Sequence, residues 1–145
     1  MQEYPVLRPG PAFDESGTRV RYGGCSCGAV RFVVRGDPLK VGVCHCFECR
    51  KATGSAFFAY ADWPLDAFNW SGATRIFAGR SFCGMCGSRL FHLSEQGVEI
   101  SIGALDEGPS DLVPTQEGWI KRRERWLQPI AGAEQAMEDP SNSLD

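Results

Sequence analysis

Seven cysteines stand in three tight clusters along this 145-residue chain, and their grouping limits what the chain can fold into. An odd number of cysteines cannot pair completely within one chain, and clustered cysteines in a reducing compartment are more often metal ligands than disulfides. Short spacings also rarely allow relaxed disulfide torsions. The pattern therefore predicts metal binding. The clusters are Cys25 and Cys27; Cys44, Cys46 and Cys49; Cys83 and Cys86.

The number of cysteines in each cluster predicts how they divide between sites. If the two outer pairs meet in space, they complete a four-thiolate site, and the central trio keeps one open position. A closed site holds a fold together, whereas an open one can do chemistry. Pairing the outer clusters leaves every cluster whole, and we favour it. Other partitions, such as Cys25 and Cys27 with Cys44 and Cys46, would leave Cys49 with the last pair and stay open at this point.

The spacing of the first two clusters suits strands. Residues two apart on a strand project to one face, so Cys25 and Cys27 are expected to hold one ion from one side of a sheet. The same argument applies to Cys44 and Cys46. His45 lies between them and should point the opposite way, so we interpret it as a partly buried residue that fixes local structure rather than as a ligand.

The last cluster has the form of a zinc knuckle. Cys83 and Cys86 are three residues apart and Gly87 follows, where a positive φ lets the next amides point toward sulfur. Cys46 and Cys49 repeat this spacing in the central cluster. Zinc suits soft thiolates and needs no redox partner, so we expect two zinc ions per chain. A rubredoxin-type iron site or an iron–sulfur cluster is the alternative.

The rest of the chain predicts a mainly β fold of antiparallel sheets. Short apolar segments are separated by glycine and proline at nearly every junction. Helix signals are confined to residues 48–52 and 64–68. We expect an extended N-terminal arm over residues 1–18, a single zinc-binding domain over 19–130 and a flexible acidic tail over 131–145. Val30, Phe32 and Val34 alternate with Ala29, Arg31 and Val33, which is the period of a strand with one buried face. The other predicted strands are Lys40 to Cys44, Ala56 to Ala61, Thr74 to Phe77, Arg89 to Leu93, Val98 to Ile102 and Trp119 to Arg123.

Composition bears on partners and compartment. The formal net charge is -3, which does not favour nucleic acid or an anionic membrane. The N-terminus has neither a basic nor an apolar region of the kind found in signal peptides, and the apolar runs are too short to span a bilayer. We expect a cytoplasmic protein, and the sequence does not predict its oligomeric state.

Three motifs in order give a family resemblance. They are GGCSCGAVRF at residues 23–32, CHCFECRKATG at 44–54 and FCGMCGSRL at 82–90. Together they resemble the glutathione-dependent formaldehyde-activating enzyme family, which also includes a centromere-associated relative. The resemblance covers residues 20–127, and three spaced motifs are far more specific than any one of them.

The resemblance implies a β-tent fold pinned by zinc and a role for each cysteine cluster. Cys25, Cys27, Cys83 and Cys86 would hold a structural zinc, and Cys44, Cys46 and Cys49 a catalytic one. It also implies a carbon–sulfur lyase of the S-(hydroxymethyl)glutathione synthase type, which condenses glutathione or a similar thiol with formaldehyde or another small electrophile, or runs in reverse. The alternative is a non-enzymatic zinc-binding interaction module.

The expected chemistry needs cations and a proton donor beside the open site. A zinc with four thiolates carries a charge of -2, and glutathione adds two carboxylates, so nearby cations would help. Attack on a carbonyl also creates an oxyanion that must be protonated. The candidate substrate-binding residues are Arg50, Lys51, Thr53, Gly54 and Ser55. The candidate proton donors are His92, His45 and Tyr60.

Overall fold

The structure is a computed structural model that describes residues 10–141. Two sheets account for its strands. The smaller sheet is antiparallel, in the order β1-β2-β5. The larger sheet has eight strands, in the order β11-β10-β3-β4-β9-β8-β7-β6. The prediction of a mainly β fold is confirmed.

Eleven strands and one α-helix are described, together with three short 3₁₀ helices. The strands are β1 Val20–Gly24, β2 Arg31–Arg35, β3 Lys40–Cys44, β4 Phe58–Trp63, β5 Phe68–Ser71, β6 Thr74–Phe77, β7 Arg80–Cys83, β8 Arg89–Ser94, β9 Gly97–Ser101, β10 Gln116–Gly118 and β11 Glu134–Gln135. The helix α1 is Phe47–Thr53, and the 3₁₀ helices are Leu65–Ala67, Ile102–Ala104 and Ile120–Arg122. Within residues 10–141, no helix is both long and apolar enough to cross a membrane.

The two sheets meet on a cluster of aromatic rings. Phe32 and Phe68 come from the small sheet, and Phe91 comes from β8 of the large one. The rings of Phe68 and Phe91 lie 4.9 Å apart edge to face, an arrangement that adds to the free energy of burial. Val30, Phe32 and Val34 are all buried, as their alternation in the sequence predicts. This core fixes both sheets beneath the cysteine clusters.

One predicted strand is wrong. Trp119 to Arg123 does not continue the sheet, because Trp119 adopts a left-handed φ of 56° and the chain turns there into the 3₁₀ helix Ile120–Arg122. Instead, the strand β10 lies just before Trp119 and runs parallel to both β3 and β11. The large sheet is therefore mixed, whereas the sequence predicted antiparallel pairing.

The expected arm and tail lie only partly within the described residues. Residues 1–9 of the arm and 142–145 of the tail lie outside the described residues. Phe13 forms a bridge with Arg19. At the other end, β11 pairs with β10, and the Ala136 amide donates to the carbonyl of Glu117 at 2.9 Å. Hydrogen-bonded structure thus extends past residue 130.

Candidate metal centres and the adjoining cleft

The two outer cysteine pairs meet between the sheets. Cys25 and Cys27 follow β1 of the small sheet, whereas Cys83 ends β7 and Cys86 precedes β8 in the large one. Their four sulfur atoms all lie within 4.8 Å of one another. The first pair is in a turn rather than on a strand, because β1 ends at Gly24. A metal ion bound here would tie the small sheet to the large one.

Backbone amides point at the sulfurs of this four-cysteine cluster. The Val30 amide donates to Cys25 Sγ at 3.2 Å, and the Met85 amide donates to Cys83 Sγ at 3.4 Å. Gly87 has a φ of 78°, as the knuckle pattern predicts. Amide donors of this kind stabilise negative charge on sulfur. The cluster is thus arranged to hold thiolates.

The central trio forms a second cluster on one short segment. Cys44 ends β3, Cys46 is the N-cap of α1, and Cys49 lies in the first turn of that helix. Cys46 Sγ accepts a hydrogen bond from the Cys49 amide at 3.3 Å, which curls the chain so that the three sulfurs face one another within 4.8 Å. The three-cysteine cluster could hold a metal ion through three sulfurs.

The three thiols of this cluster differ in acidity. A hydrogen bond from Cys44, opposed by burial, is the main cause that lowers the pKa of Cys49 to about 6. Smaller contributions to this lowering come from Cys46, Arg89 and Arg80. The hydrogen bond to Cys49 and burial raise the pKa of Cys44, and burial raises that of Cys46. The surroundings therefore favour negative charge on Cys49 and disfavour it on Cys44 and Cys46.

The three-cysteine cluster opens into a cleft of about 630 Å³, here called the cysteine cleft. This volume is within the range of small-molecule sites. The remaining lining residues are Lys40, Phe47, Glu48, Phe58, Tyr60, Asp62, Ala78, Arg80, His92, Glu99, Gly118, Trp119, Arg122, Asp139 and Pro140.

Two arginines that the sequence interpretation did not select supply the positive charge beside this cluster. Arg80 lines the cysteine cleft. Arg89 lies behind it, with its guanidinium stacked 4.0 Å from the ring centre of Phe58. Both positive charges contribute, after Cys44 and Cys46, to the lowered pKa of Cys49. One signal was available, since Arg80 and Arg89 flank the knuckle motif three residues before and after its cysteines.

The predicted substrate-binding residues lie outside the lining of the cysteine cleft. Arg50 forms an ion pair with Glu124 and donates to the carbonyl of Arg122 at 3.1 Å. Lys51 is exposed beside a neighbouring depression. None of the five candidates lines the cysteine cleft as described over residues 10–141.

Thr53, Gly54 and Ser55 form the end of α1. The Thr53 hydroxyl donates to the carbonyl of Cys49 at 2.8 Å, and the Gly54 amide donates to the carbonyl of Arg50. The Ser55 amide in turn donates to Thr53 Oγ1 at 3.3 Å. These groups end the helix, and their hydrogen bonds are used within the turn that follows it.

The three candidate proton donors differ in position. Tyr60 and His92 line the cysteine cleft. Burial raises the pKa of Tyr60, and its hydroxyl accepts a hydrogen bond from Gln116 at 2.7 Å. His45 is buried outside the cleft lining, with Nε2 3.0 Å from Glu117. Tyr60 and His92 are therefore the two candidates that can face a substrate.

Glu117 braces the three-cysteine cluster from behind, and sequence reasoning missed it. Its Oε1 lies beside His45, and its Oε2 accepts hydrogen bonds from the Ile130 amide at 2.8 Å and from Gln135 at 2.7 Å. Burial raises the pKa of Glu117, but hydrogen bonds from Gln135, Ile130 and His45 outweigh it, so the net shift is downward. A buried carboxylate thus connects the cysteine segment to the C-terminal strand.

The C-terminal segment also forms one wall of the cysteine cleft. The indole N–H of Trp119 donates to Asp139 at 2.7 Å, and Lys121 pairs with Glu138 at 2.7 Å. Asp139 and Pro140 then face the cleft opposite the cysteines. No periodic pattern marks this segment, which explains why the sequence did not predict its role.

Comparisons with known proteins give a family match and a similar solved structure. A family model described as "Glutathione-dependent formaldehyde-activating enzyme" matches residues 20–122, which include all seven cysteines. A crystal structure of a Rhodobacter sphaeroides protein is 24% identical, with a TM-score of 0.46 over 64% of this chain and 97% of that one.

Proposed function

Because the chain belongs to the glutathione-dependent formaldehyde-activating enzyme family, we propose that it is a zinc-dependent carbon–sulfur lyase or synthase. It condenses glutathione, or a similar thiol, with formaldehyde or another small electrophile, or catalyses the reverse. The observation that carries the proposal is the opening of a three-sulfur cluster into a cleft of about 630 Å³. Three protein ligands leave room for a fourth from a substrate.

The sulfur geometry supports a tetrahedral metal site of the kind that zinc forms. With zinc–sulfur bonds of about 2.3 Å, the sulfurs of a tetrahedral site lie about 3.8 Å apart. Cys27 Sγ is 3.5 Å from Cys25 Sγ and 3.7 Å from Cys83 Sγ. The four-cysteine cluster therefore fits zinc with little rearrangement. Cys44, Cys46 and Cys49 would hold the second ion, with the same donor atoms.

The chain's own residues have separate tasks in the reaction. Bound zinc would lower the pKa of a thiol placed beside it and hold the thiol as a thiolate. The cleft walls place that sulfur against the electrophile. Attack forms the carbon–sulfur bond, breaks the carbonyl π bond and leaves the electron pair on oxygen. His92 or Tyr60 then gives that oxygen a proton, and in the reverse direction takes it back.

The arginines near the three-cysteine cluster also support binding of a substrate thiolate there. Three cysteine thiolates beside a substrate thiolate would repel one another in a half-buried site. Arg80 and Arg89 lie near enough to lower the pKa of Cys49, so they also offset this charge. Seven free cysteines further support a reducing, cytoplasmic location.

The test compares metal content with turnover. Wild-type protein should contain two zinc ions and should accelerate the reaction of glutathione with formaldehyde, followed by exchange NMR of the free and thiol-bound carbon. Cys49→Ser should keep one zinc and lose the acceleration. Two zinc ions without any acceleration over the spontaneous reaction would contradict the proposal and favour the non-enzymatic zinc module.

A further inference from the structure

A second cleft adjoins the cysteine cleft and is unlike it in charge. It has a volume of about 520 Å³ and shares Glu48, Ala78 and Arg80 with the cysteine cleft. Its other lining residues are Lys51, Ala52, Phe77, Phe82, Gly87 and Arg89. The two clefts therefore form one continuous depression on the surface.

The charged side chains of the second cleft are mostly basic. Among the described residues that line it, Lys51, Arg80 and Arg89 are cationic and Glu48 alone is acidic. The cysteine cleft instead has four acidic side chains against three basic ones, together with three thiols, in its lining. An anionic group is thus favoured in the second cleft over the first.

Arg80 stands where the two clefts meet, at the start of β7. Its side chain is 18% exposed, and its Nη2 lies 3.6 Å from the carboxylate of Glu48, whose side chain is 82% exposed. A pair this long, with one partner in solvent, contributes little free energy. A substrate carboxylate can displace Glu48 from it at small cost.

The N–H groups of the Arg80 guanidinium are only partly paired with acceptors. Its Nε is buried without a hydrogen-bond partner in the described structure. Behind it, the Arg89 side chain is 10% exposed and lies 3.8 Å from Glu99, and its Nε and Nη1 likewise have no acceptor. Two largely buried cations, each with one long ion pair and incomplete hydrogen bonding, leave a net positive potential at the second cleft.

From this arrangement we propose that Arg80 binds a carboxylate of the substrate in the second cleft while the reacting sulfur lies beside Cys44, Cys46 and Cys49. This inference rests on the proposed function, and it names the part of the site that selects the substrate. The planar fork of arginine suits a carboxylate better than the ammonium of lysine does. Arg89, which also lines the second cleft, strengthens the site through its charge.

The carboxylate can belong to the thiol substrate or to the electrophile, and Arg80 would bind it in the same way in both cases. An extended tripeptide spans about 10 Å, which lets a thiol such as glutathione reach from one cleft into the next. A small electrophile with its own carboxylate would place the same group there. The Phe77 and Phe82 side chains on the walls accept the apolar part of either molecule.

The experiment measures binding to zinc-loaded protein by calorimetry, with Arg80→Gln as the variant. Glutathione and cysteamine, a thiol without a carboxylate, are the probes. We expect Arg80→Gln to bind glutathione about 10- to 100-fold more weakly, the usual loss for a hydrogen bond to a charged group. Cysteamine should bind both proteins equally. Arg75→Gln, an exposed arginine on the neighbouring strand β6, is the matched control and should leave both affinities unchanged.

Further measurements identify which substrate carries the carboxylate and check that the variants are folded. A loss seen with glyoxylate as electrophile, but not with glutathione, assigns the carboxylate to the electrophile and still supports the inference. Arg80→Lys keeps the charge without the fork, and an intermediate affinity is expected. If Arg80→Gln and Arg80→Lys both fold, as judged by circular dichroism, and bind glutathione and glyoxylate as the wild type does, the inference is overturned.

The result also separates this inference from the proposed function. If the protein does not accelerate condensation but its affinity for glutathione still depends on Arg80, the function is wrong and the carboxylate site stands. If condensation proceeds but no probe distinguishes Arg80→Gln from wild type, the site is wrong and the function stands.

Discussion

The two cysteine clusters use the same ligand atom in different surroundings. The four-cysteine cluster lies between the two sheets, receives hydrogen bonds from backbone amides and takes its sulfurs from segments almost sixty residues apart. The three-cysteine cluster comes from six consecutive residues and faces a cleft with charged walls. Closure by four sulfurs from two sheets suits a structural role, whereas three sulfurs on one segment leave a side open to a ligand.

The largest expected effect comes from breaking the four-cysteine cluster. Cys83→Ser should unfold most of the domain, because structural zinc contributes on the order of 10 kcal/mol in zinc-finger peptides and typical domains are stable by about 5–15 kcal/mol. Near-UV circular dichroism and zinc content measure this. Met85→Ala, an exposed residue of the same knuckle, is the control and should fold normally. If Cys83→Ser folds normally, the four-cysteine cluster does not stabilise the fold, and the proposed difference between the two clusters is wrong.

Breaking the three-cysteine cluster should affect chemistry more than folding. Cys49→Ser should release one zinc and lower kcat at least about 100-fold, because the reacting thiol loses its activating site. Its unfolding midpoint in urea should shift far less than that of Cys83→Ser. If Cys49→Ser unfolds to the same extent, both clusters are structural and the comparison fails.

Removing the brace behind the three-cysteine cluster should give an intermediate effect. Glu117→Gln replaces a buried carboxylate that accepts several hydrogen bonds, so the free energy of unfolding should fall by about 1–3 kcal/mol at pH 7. The folded pKa of Glu117 is below its ordinary value of 4.5, so this stabilisation is present above pH 4.5 and is lost as pH falls through the folded pKa.

Urea titrations of wild type and Glu117→Gln, run in parallel over a pH series, measure this difference. Loss of zinc at low pH affects both proteins, so only the difference between them reports on Glu117. A difference that stays constant from pH 7 to below the folded pKa would show that the carboxylate charge does not stabilise the segment.

The smallest effect is expected at Arg50, next to the last cysteine of the open cluster. Arg50→Ala should leave the KM for glutathione within about twofold of wild type, because its guanidinium is bound to Glu124 and Arg122 outside the cleft lining. The free energy of unfolding should fall by no more than about 1 kcal/mol, as is usual for a surface ion pair. Steady-state kinetics test this. A large rise in KM would restore Arg50 as a substrate-binding residue.

The sequence predicted how the cysteines group in space better than it predicted the residues around them, for a physical reason. The spacing of Cys83, Cys86 and Gly87 is local, and the knuckle forms as that spacing predicts. Arg50 is also local to Cys49, but successive helix residues point about 100° apart, so it faces away. Arg80 and Arg89 reach the cluster across the sheet, and such proximity is set by strand pairing rather than by sequence distance.

The same limit explains the errors in the fold. Lys40 to Cys44 and Thr74 to Phe77 form strands with the predicted bounds, since alternation and flanking glycines define them. The β10 strand has three residues and no alternation to detect, and its parallel pairing depends on where β3 lies. The left-handed Trp119 ends it, although tryptophan gives no signal for a positive φ.

The most direct test of the difference between the clusters is zinc X-ray absorption on the protein with two zinc ions, before and after saturation with glutathione. We expect the average number of sulfur neighbours per zinc to rise to four, because only the ion held by Cys44, Cys46 and Cys49 gains a ligand. Cys49→Ser should show no such rise. An unchanged sulfur count in the wild-type protein at saturating glutathione would contradict the assignment of an open, substrate-binding cluster.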